Sequence, residues 1–285
     1  MQSSSPGPVI DLRADVNRLV LHSNLINLEV IIDIEHELRK ESSDLISLMF
    51  LLYDDPDIAL VKLTAYQQSS NAYHEHSLLQ DWLLKAKCKL TWKHELVEGL
   101  LICKMNNLVR KMGFDLNSLK SYYQTDNCIM SIHINPVKKL LYRICEEMNA
   151  TNFSKFKRSL LAYGLDFTKQ DICEIILLEL ISKEFIKTNF SNKCLSVANT
   201  STKKMAVRDF VKTIENLEGL QILTMELKAL ETEVNKHFEK ASNSPEDAPI
   251  SEETHKEDDK FDNAEIFEDS LNFENLTLED FHASC

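Results

Sequence analysis

The sequence predicts an all-α protein: two tandem helical bundles followed by a disordered acidic tail. Three observations carry that expectation. From Asn24 onward apolar residues recur at helical spacing almost without interruption. Only 5 Gly and 6 Pro occur in 285 residues, well under the roughly 7% and 5% of average usage, and no Gly-rich phosphate loop is present. The helical pattern, broken by a polar stretch from Gln124 to Asn135, then begins again.

Each element follows from its residues. A first helix over about Asn24 to Lys40 carries the stripe Leu25, Leu28, Ile31, Ile32 and Leu38. Ser43 or Asp44 can cap a second, with Leu45, Leu48, Met49 and Leu52 on its core face. Asp55 and Pro56 open a third, since proline tolerates the first helical position where its missing N–H is unpaired anyway. Ser69, Ser70 and Asn71 form a loop, and a fourth helix runs from about Tyr73 to Lys87. A fifth spans about Thr91 to Met112, closed by Gly113 in the left-handed conformation that glycine adopts at least cost. A short sixth holds Leu116, Leu119, Tyr122 and Tyr123. In the second half, Asn135 and Pro136 form a cap and first turn before Leu140, Leu141, Ile144 and Met148. Helices over about Phe153 to Tyr163, Lys169 to Lys187 (capped by Thr168 and Asp171), Met205 to Leu217 and Leu220 to Phe238 complete the series.

The two halves are related. Ile34, Glu37, Leu38, Leu51 and Tyr53 are matched 110 residues later by Ile144, Glu147, Met148, Leu161 and Tyr163. An unbroken offset across two helices points to a duplicated domain, with copies at about 23–125 and 133–239, a flexible segment at 1–22 and a tail at 240–285.

Charge is distributed unevenly. The chain has 32 basic and 45 acidic residues, a net charge of -13. Residues 241–285 contain 14 acidic and 2 basic side chains, a balance of -12. The remaining 240 residues are therefore close to neutral, and no basic block marks a nucleic-acid surface. Seven scattered cysteines without a C-x-x-C pair read as reduced thiols. The absence of an apolar leader or an 18-residue apolar run argues against secretion and membrane spanning, so a cytoplasmic location is expected. His74, His76, Cys88 and His94 do not make a convincing metal site, because two histidines at i and i+2 do not share a helix face. No cofactor is expected. Cys103, Cys145 and Cys173 lie on apolar helix faces and read as small core residues.

Three stretches give the chain a resemblance: LMFLLYDD at Leu48 to Asp55, KHELVEGLLICKMNNLVRKMGFD at Lys93 to Asp115, and HINPVKKLLYRICEEM at His133 to Met148. The two halves resemble the tandem death effector domains of Dredd-like insect initiator caspases of the caspase-8 type. That resemblance implies two tandem six-helix death-fold bundles. It also implies homotypic recruitment to a FADD-type adaptor, self-association through the effector domains, and proximity activation of a cysteine protease in apoptosis and innate immunity. No nucleic-acid, membrane or small-molecule partner is implied.

In that family an aromatic-Leu pair on the second helix docks one domain on another. Phe50 and Leu51 match it, and Leu160 and Leu161 are the second copy's counterparts, without the aromatic. Phe50 either fills the core or faces a partner; the stripe of Leu45, Leu48, Met49 and Leu52 leaves it near the opposite side, where a large exposed apolar residue requires a partner. The family's R-x-D-L motif entering its last helix is replaced here by Lys104, Met105 and Asn106, which lack the acidic member. Residues 29–44 are acidic and include Glu35 and Glu37, and the second copy carries Glu146 and Glu147, the latter matching Glu37 in the repeat. Residues 85–111 are basic and include Lys104. Either these are two solvated helix faces or they steer head-to-tail stacking.

A caspase requires a histidine and a cysteine thiolate, with the signatures Ser-His-Gly and Q-A-C-x-G. Neither signature occurs, so no catalysis is expected of this chain, which instead reads as the N-terminal part of a cysteine endopeptidase precursor. The alternatives are a protease-less decoy competing for the adaptor and a helical scaffold unrelated to death signalling. The tail from Phe261 to Phe281 mixes acids with large apolar residues, a pattern that folds on partners. Within it Asp269, followed by Ser270, is the expected processing position.

Overall fold

The structure is a computed structural model that describes residues 12–68, 77–127, 132–188 and 204–242. The described residues form thirteen helices and one isolated antiparallel bridge between Lys187 and Ala206. The fold is that of tandem death-fold bundles, and the described helices belong to one compact unit. The tail and Asp269 lie outside the described residues, as do His74 and His76.

The first half opens on α1 (Leu12–Leu21), a helix where the sequence predicted only a flexible segment. Val16 and Val20, four residues apart, bury one face of it against the bundle, while Lys93 closes its end by donating to the carbonyls of Leu21 (3.2 Å) and Ser23 (2.8 Å). Two short valines gave too weak a stripe to register. α2 (Leu28–Leu38) starts at Asn27, whose side chain accepts the N–H of Val30. α3 (Ser42–Leu52) and α4 (Pro56–Gln68) follow, the latter begun by Asp55, which accepts from Asp57 and Ile58. α5 (Leu78–Ala86) is capped by Ser77.

The long fifth helix expected from Thr91 to Met112 is two helices, α6 (Trp92–Ile102) and α7 (Asn106–Lys111). Lys104 takes the left-handed conformation (φ 59) and the N–H of Met105 reaches back to the Leu100 carbonyl at 2.9 Å. This is the closure usually made by glycine, and a lysine hides it from a reading that looks for glycine. α8 (Leu116–Tyr123) ends the half.

The second half contains α9 (Pro136–Glu146), α10 (Ala150–Leu161), α11 (Cys173–Ser182), α12 (Arg208–Ile214) and α13 (Gln221–Ser242). α11 is shorter at both ends than its apolar run suggested. Gln170 Oε1 takes the N–H groups of Asp171 and Ile172 at 3.0 Å each, and no side chain of Thr168 or Asp171 caps the helix. The offset of 110 holds in three dimensions: Ile31 and Leu141, Ile34 and Ile144, Ile46 and Phe156, Phe50 and Leu160 are all buried.

Candidate protein-interaction site

α3 packs on α2, α4, α5 and α6 of its own half and on α9 and α11 of the other. Its burial is therefore nearly all round: Leu45, Ile46, Leu48, Met49, Phe50, Leu51 and Leu52 are all covered. Of the two readings of Phe50 the core one holds, and neither Phe50 nor Leu51 is available as an exposed docking pair. Phe50 is core within its own bundle, as its counterpart Leu160 is in the second copy, while Ser47 and Leu51, four residues apart, lie on the side that meets the second half. The Ser47 hydroxyl donates to Glu174 of α11 at 2.5 Å, and the Leu51 carbonyl accepts from Lys138 of α9 at 3.3 Å.

Polar groups line this joint. Lys138 also donates to the Tyr53 carbonyl, and Gln67 and Gln170 exchange two hydrogen bonds at 2.9 and 3.1 Å. Lys104 reaches Glu146 at 2.9 Å. Burial pushes the Cys103 and Cys145 thiols well up, which leaves them protonated and poor nucleophiles. Burial likewise raises Glu174 and pushes the Lys138 amine down to about 8 against the opposing pull of Asp54.

The repeat gives the joint its meaning. Leu51 and Tyr53 are 2% and 4% exposed, but their counterparts Leu161 and Tyr163 at the end of α10 are 50% and 46% exposed. Lys138 and Tyr142 are both 2% exposed, but their counterparts on α2, Leu28 and Ile32, are 50% and 43% exposed. The joint thus sets the second helix of copy one against the first helix of copy two. The other member of each pair, α10 and α2, is left open. Arg158, three residues before Leu161, and Lys155 are exposed on α10, while Glu29 and Asp33 are exposed beside Leu28 and Ile32 on α2.

The remaining expected site residues are dispersed. Leu160 is core. Glu35 is buried, accepting the N–H groups of Leu78 (3.0 Å) and Leu79 (3.1 Å) and pairing with Arg39 at 2.9 Å. Its role is to hold α5 on α2, which corrects its assignment to a docking face. Glu37 pairs with Lys40 and Lys111 at 2.9 and 3.6 Å, and these lysines hold its carboxyl below the usual range. Glu147 stands 3.6 Å from Arg143. Much of the acidic and basic excess of the first half is therefore spent within the chain. Sequence reasoning missed Lys138 at the joint and the exposure of Leu28, Ile32 and Tyr163. The signal was present in the repeat, as Lys138 stands where Leu28 stands.

The family models for Caspase-8, N-terminal domain, and Caspase-8, second domain, both of Dredd, match residues 24–125 and 131–221. A Caspase-8 of Drosophila pseudoobscura pseudoobscura is 28% identical over 177 residues, covering 59% of this chain and 34% of the relative. A Caspase-8 of Drosophila melanogaster is 28% identical over 185 residues, covering 60% and 36%. The chain spans about a third of the length of these curated relatives. No solved structure matches.

Proposed function

Because the chain belongs to the Dredd family and carries its tandem death effector domain region, we propose that it is the recruitment and assembly module of an initiator caspase. Its open α2 and α10 surfaces bind a FADD-type adaptor and further copies of the chain. Docking at one end leaves the other free, so copies join head to tail. Attached protease domains are thereby held at an effective concentration of up to about millimolar, enough to drive weak dimerisation. Signalling in apoptosis and innate immunity from the cytoplasm is the setting this reading entails.

The observation that supports it is the inverted burial of four repeat-related positions, exposed where a copy ends and covered where the copies meet. Charge favours the same pairing, since the open α10 face carries Lys155 and Arg158 and the open α2 face carries Glu29 and Asp33.

The test is Leu161→Asp in the full chain, followed by sedimentation and by co-precipitation with a FADD-type adaptor. The substitution is at an exposed position, so folding is retained. Assembly is expected to weaken, its midpoint concentration rising by at least about tenfold, as loss of an interface anchor worth about 2 kcal/mol requires. Unchanged assembly together with unchanged adaptor binding would overturn the reading.

A further inference from the structure

The closed joint and the open surfaces differ chemically at one position. α3 ends without a left-handed residue: Tyr53 is extended (φ -70, ψ 122), and the backbone closure there is a single bond from its N–H to the Met49 carbonyl at 3.0 Å. The last carbonyls of the helix are satisfied by side chains from elsewhere. Trp82 Nε1 donates to Leu52 at 3.1 Å, and Lys138 donates to Leu51 and Tyr53.

α10 closes itself. Gly164 has φ +78, its N–H reaches the Leu161 carbonyl at 2.9 Å, and the N–H groups of Tyr163 and Leu165 reach the Leu160 carbonyl at 2.9 and 3.1 Å. The carbonyl that corresponds to that of Leu51 is therefore already taken by the helix's own backbone.

We propose that Lys138 is a helix cap given across the joint, and that it makes the α9 face select α3 and refuse α10. The proposal rests on the reading of open and closed joints above. Against α3 the ammonium meets carbonyls at the negative end of a helix, which favours a cation. Against α10 it would lose water, compete with the Gly164 N–H for the Leu161 carbonyl and approach Lys155 and Arg158. Burying a charge without partners carries a large cost, so that pairing is penalised. The outer joint needs no such group, because Leu28 stands in place of Lys138 and offers an apolar surface to an end that Gly164 has closed. One lysine thus keeps each molecule paired with its own first copy while leaving α2 and α10 to other molecules.

The test uses the full chain with Lys138→Met, which keeps side-chain length and removes the donors. Amide exchange at residues 50–55 is expected to rise by about tenfold while α8 stays protected. Assembly is expected to start at lower concentration, because α9 now accepts α10 of other molecules. Leu28→Lys is expected to weaken assembly without changing exchange at 50–55. Unchanged exchange and unchanged assembly in Lys138→Met would overturn the proposal. Should Lys138→Met exchange uniformly along the chain, Lys138→Gln decides: partial local protection supports the cap, and uniform exchange overturns it. The Leu161→Asp variant separates the two ideas. If it leaves assembly intact, the outer joint fails while exchange at 50–55 still judges the cap.

Discussion

The Glu98 carboxylate accepts the backbone N–H of His133 at 2.7 Å, binding the last full turn of α6 to the segment that leads into the second half. The same carboxylate accepts from Ile132 at 3.0 Å and Ile134 at 2.9 Å, and Glu98 is fully buried. Three donors on one anion fix the path by which the chain enters α9.

Removal of that anion is expected to be costly. Glu98→Ala leaves the three amides without their acceptor, at about 1–3 kcal/mol for an unsatisfied buried group. A loss of about 3 kcal/mol or more in urea unfolding is expected, with Glu98→Gln intermediate. A loss below about 1 kcal/mol for the alanine variant would show that water replaces the carboxylate.

Acid should loosen the same region. The His94 and His133 rings stack at 4.5 Å, and His94 Nδ1 shares a hydrogen bond with the Tyr123 hydroxyl at 2.6 Å. Burial pulls both imidazoles down to about 4 from the usual 6.5, and for His94 the neighbouring His133 adds to it. Between those values the unfolded chain holds protons that the folded chain does not, so stability falls as pH drops from 6.5 towards 4. His133→Gln is expected to flatten the pH dependence of the unfolding midpoint across that window. Parallel profiles for the two proteins would remove the histidine pair as its cause.

Helices α3 and α6 approach each other at Gly99, where an added Cβ would lie 3.1 Å from Leu48 Cδ1 and 3.4 Å from Leu52 Cδ2. A β-branched side chain overfills that contact. Gly99→Val is expected to destabilise by about 1–3 kcal/mol, read as a lowered melting temperature, and an unchanged melting temperature would mean the leucines yield freely.

Salt should act on assembly more than on the closed joint. The Lys104 and Glu146 side chains are 60% and 31% exposed, and a pair so wet contributes about 0–1 kcal/mol. The open faces carry unlike charges with no such internal partner shown, so association is expected to slow with added salt. Lys104→Ala should leave stability nearly unchanged, and Arg158→Glu should reduce association at low salt. Salt-insensitive association of the wild-type chain would argue against steering by these faces.

Much of this was legible in the sequence, for reasons that differ by element. α4 and α9 follow from apolar stripes opened by caps the sequence announces, Asp55 and Asn135, and α2, α3 and α8 follow from their stripes alone: the caps Asn27 and Asp115 were not expected, and α3 starts after Glu41 with no side-chain cap, so that Ser43 and Asp44 lie inside it. The break at Lys104 was not legible, because its left-handed turn uses a residue that carries no glycine signal. Nor was the burial of Leu51. A helical stripe shows how many sides of a helix are apolar, whereas the elements that cover the other side of α3 come from 87 residues further along the chain, where Lys138 meets Leu51, and from 127 residues further, where Glu174 meets Ser47. Glu35 misled for a related reason, since a carboxylate in an acidic run is indistinguishable by composition from one that receives two amides at the start of a distant helix.

The offset of 110 residues has a geometric consequence for any assembly of these molecules. If α10 of one molecule meets α2 of the next as α3 meets α9 within a molecule, a single screw operation relates every half to the one after it. The strand then repeats by half-molecules, and the rise and twist per step could be read from one chain before any polymer is imaged. Substituting Leu28 for Lys138 at alternate junctions breaks that equivalence slightly, so the true period is the whole molecule, and the fainter whole-molecule reflections would report how far the two junctions differ.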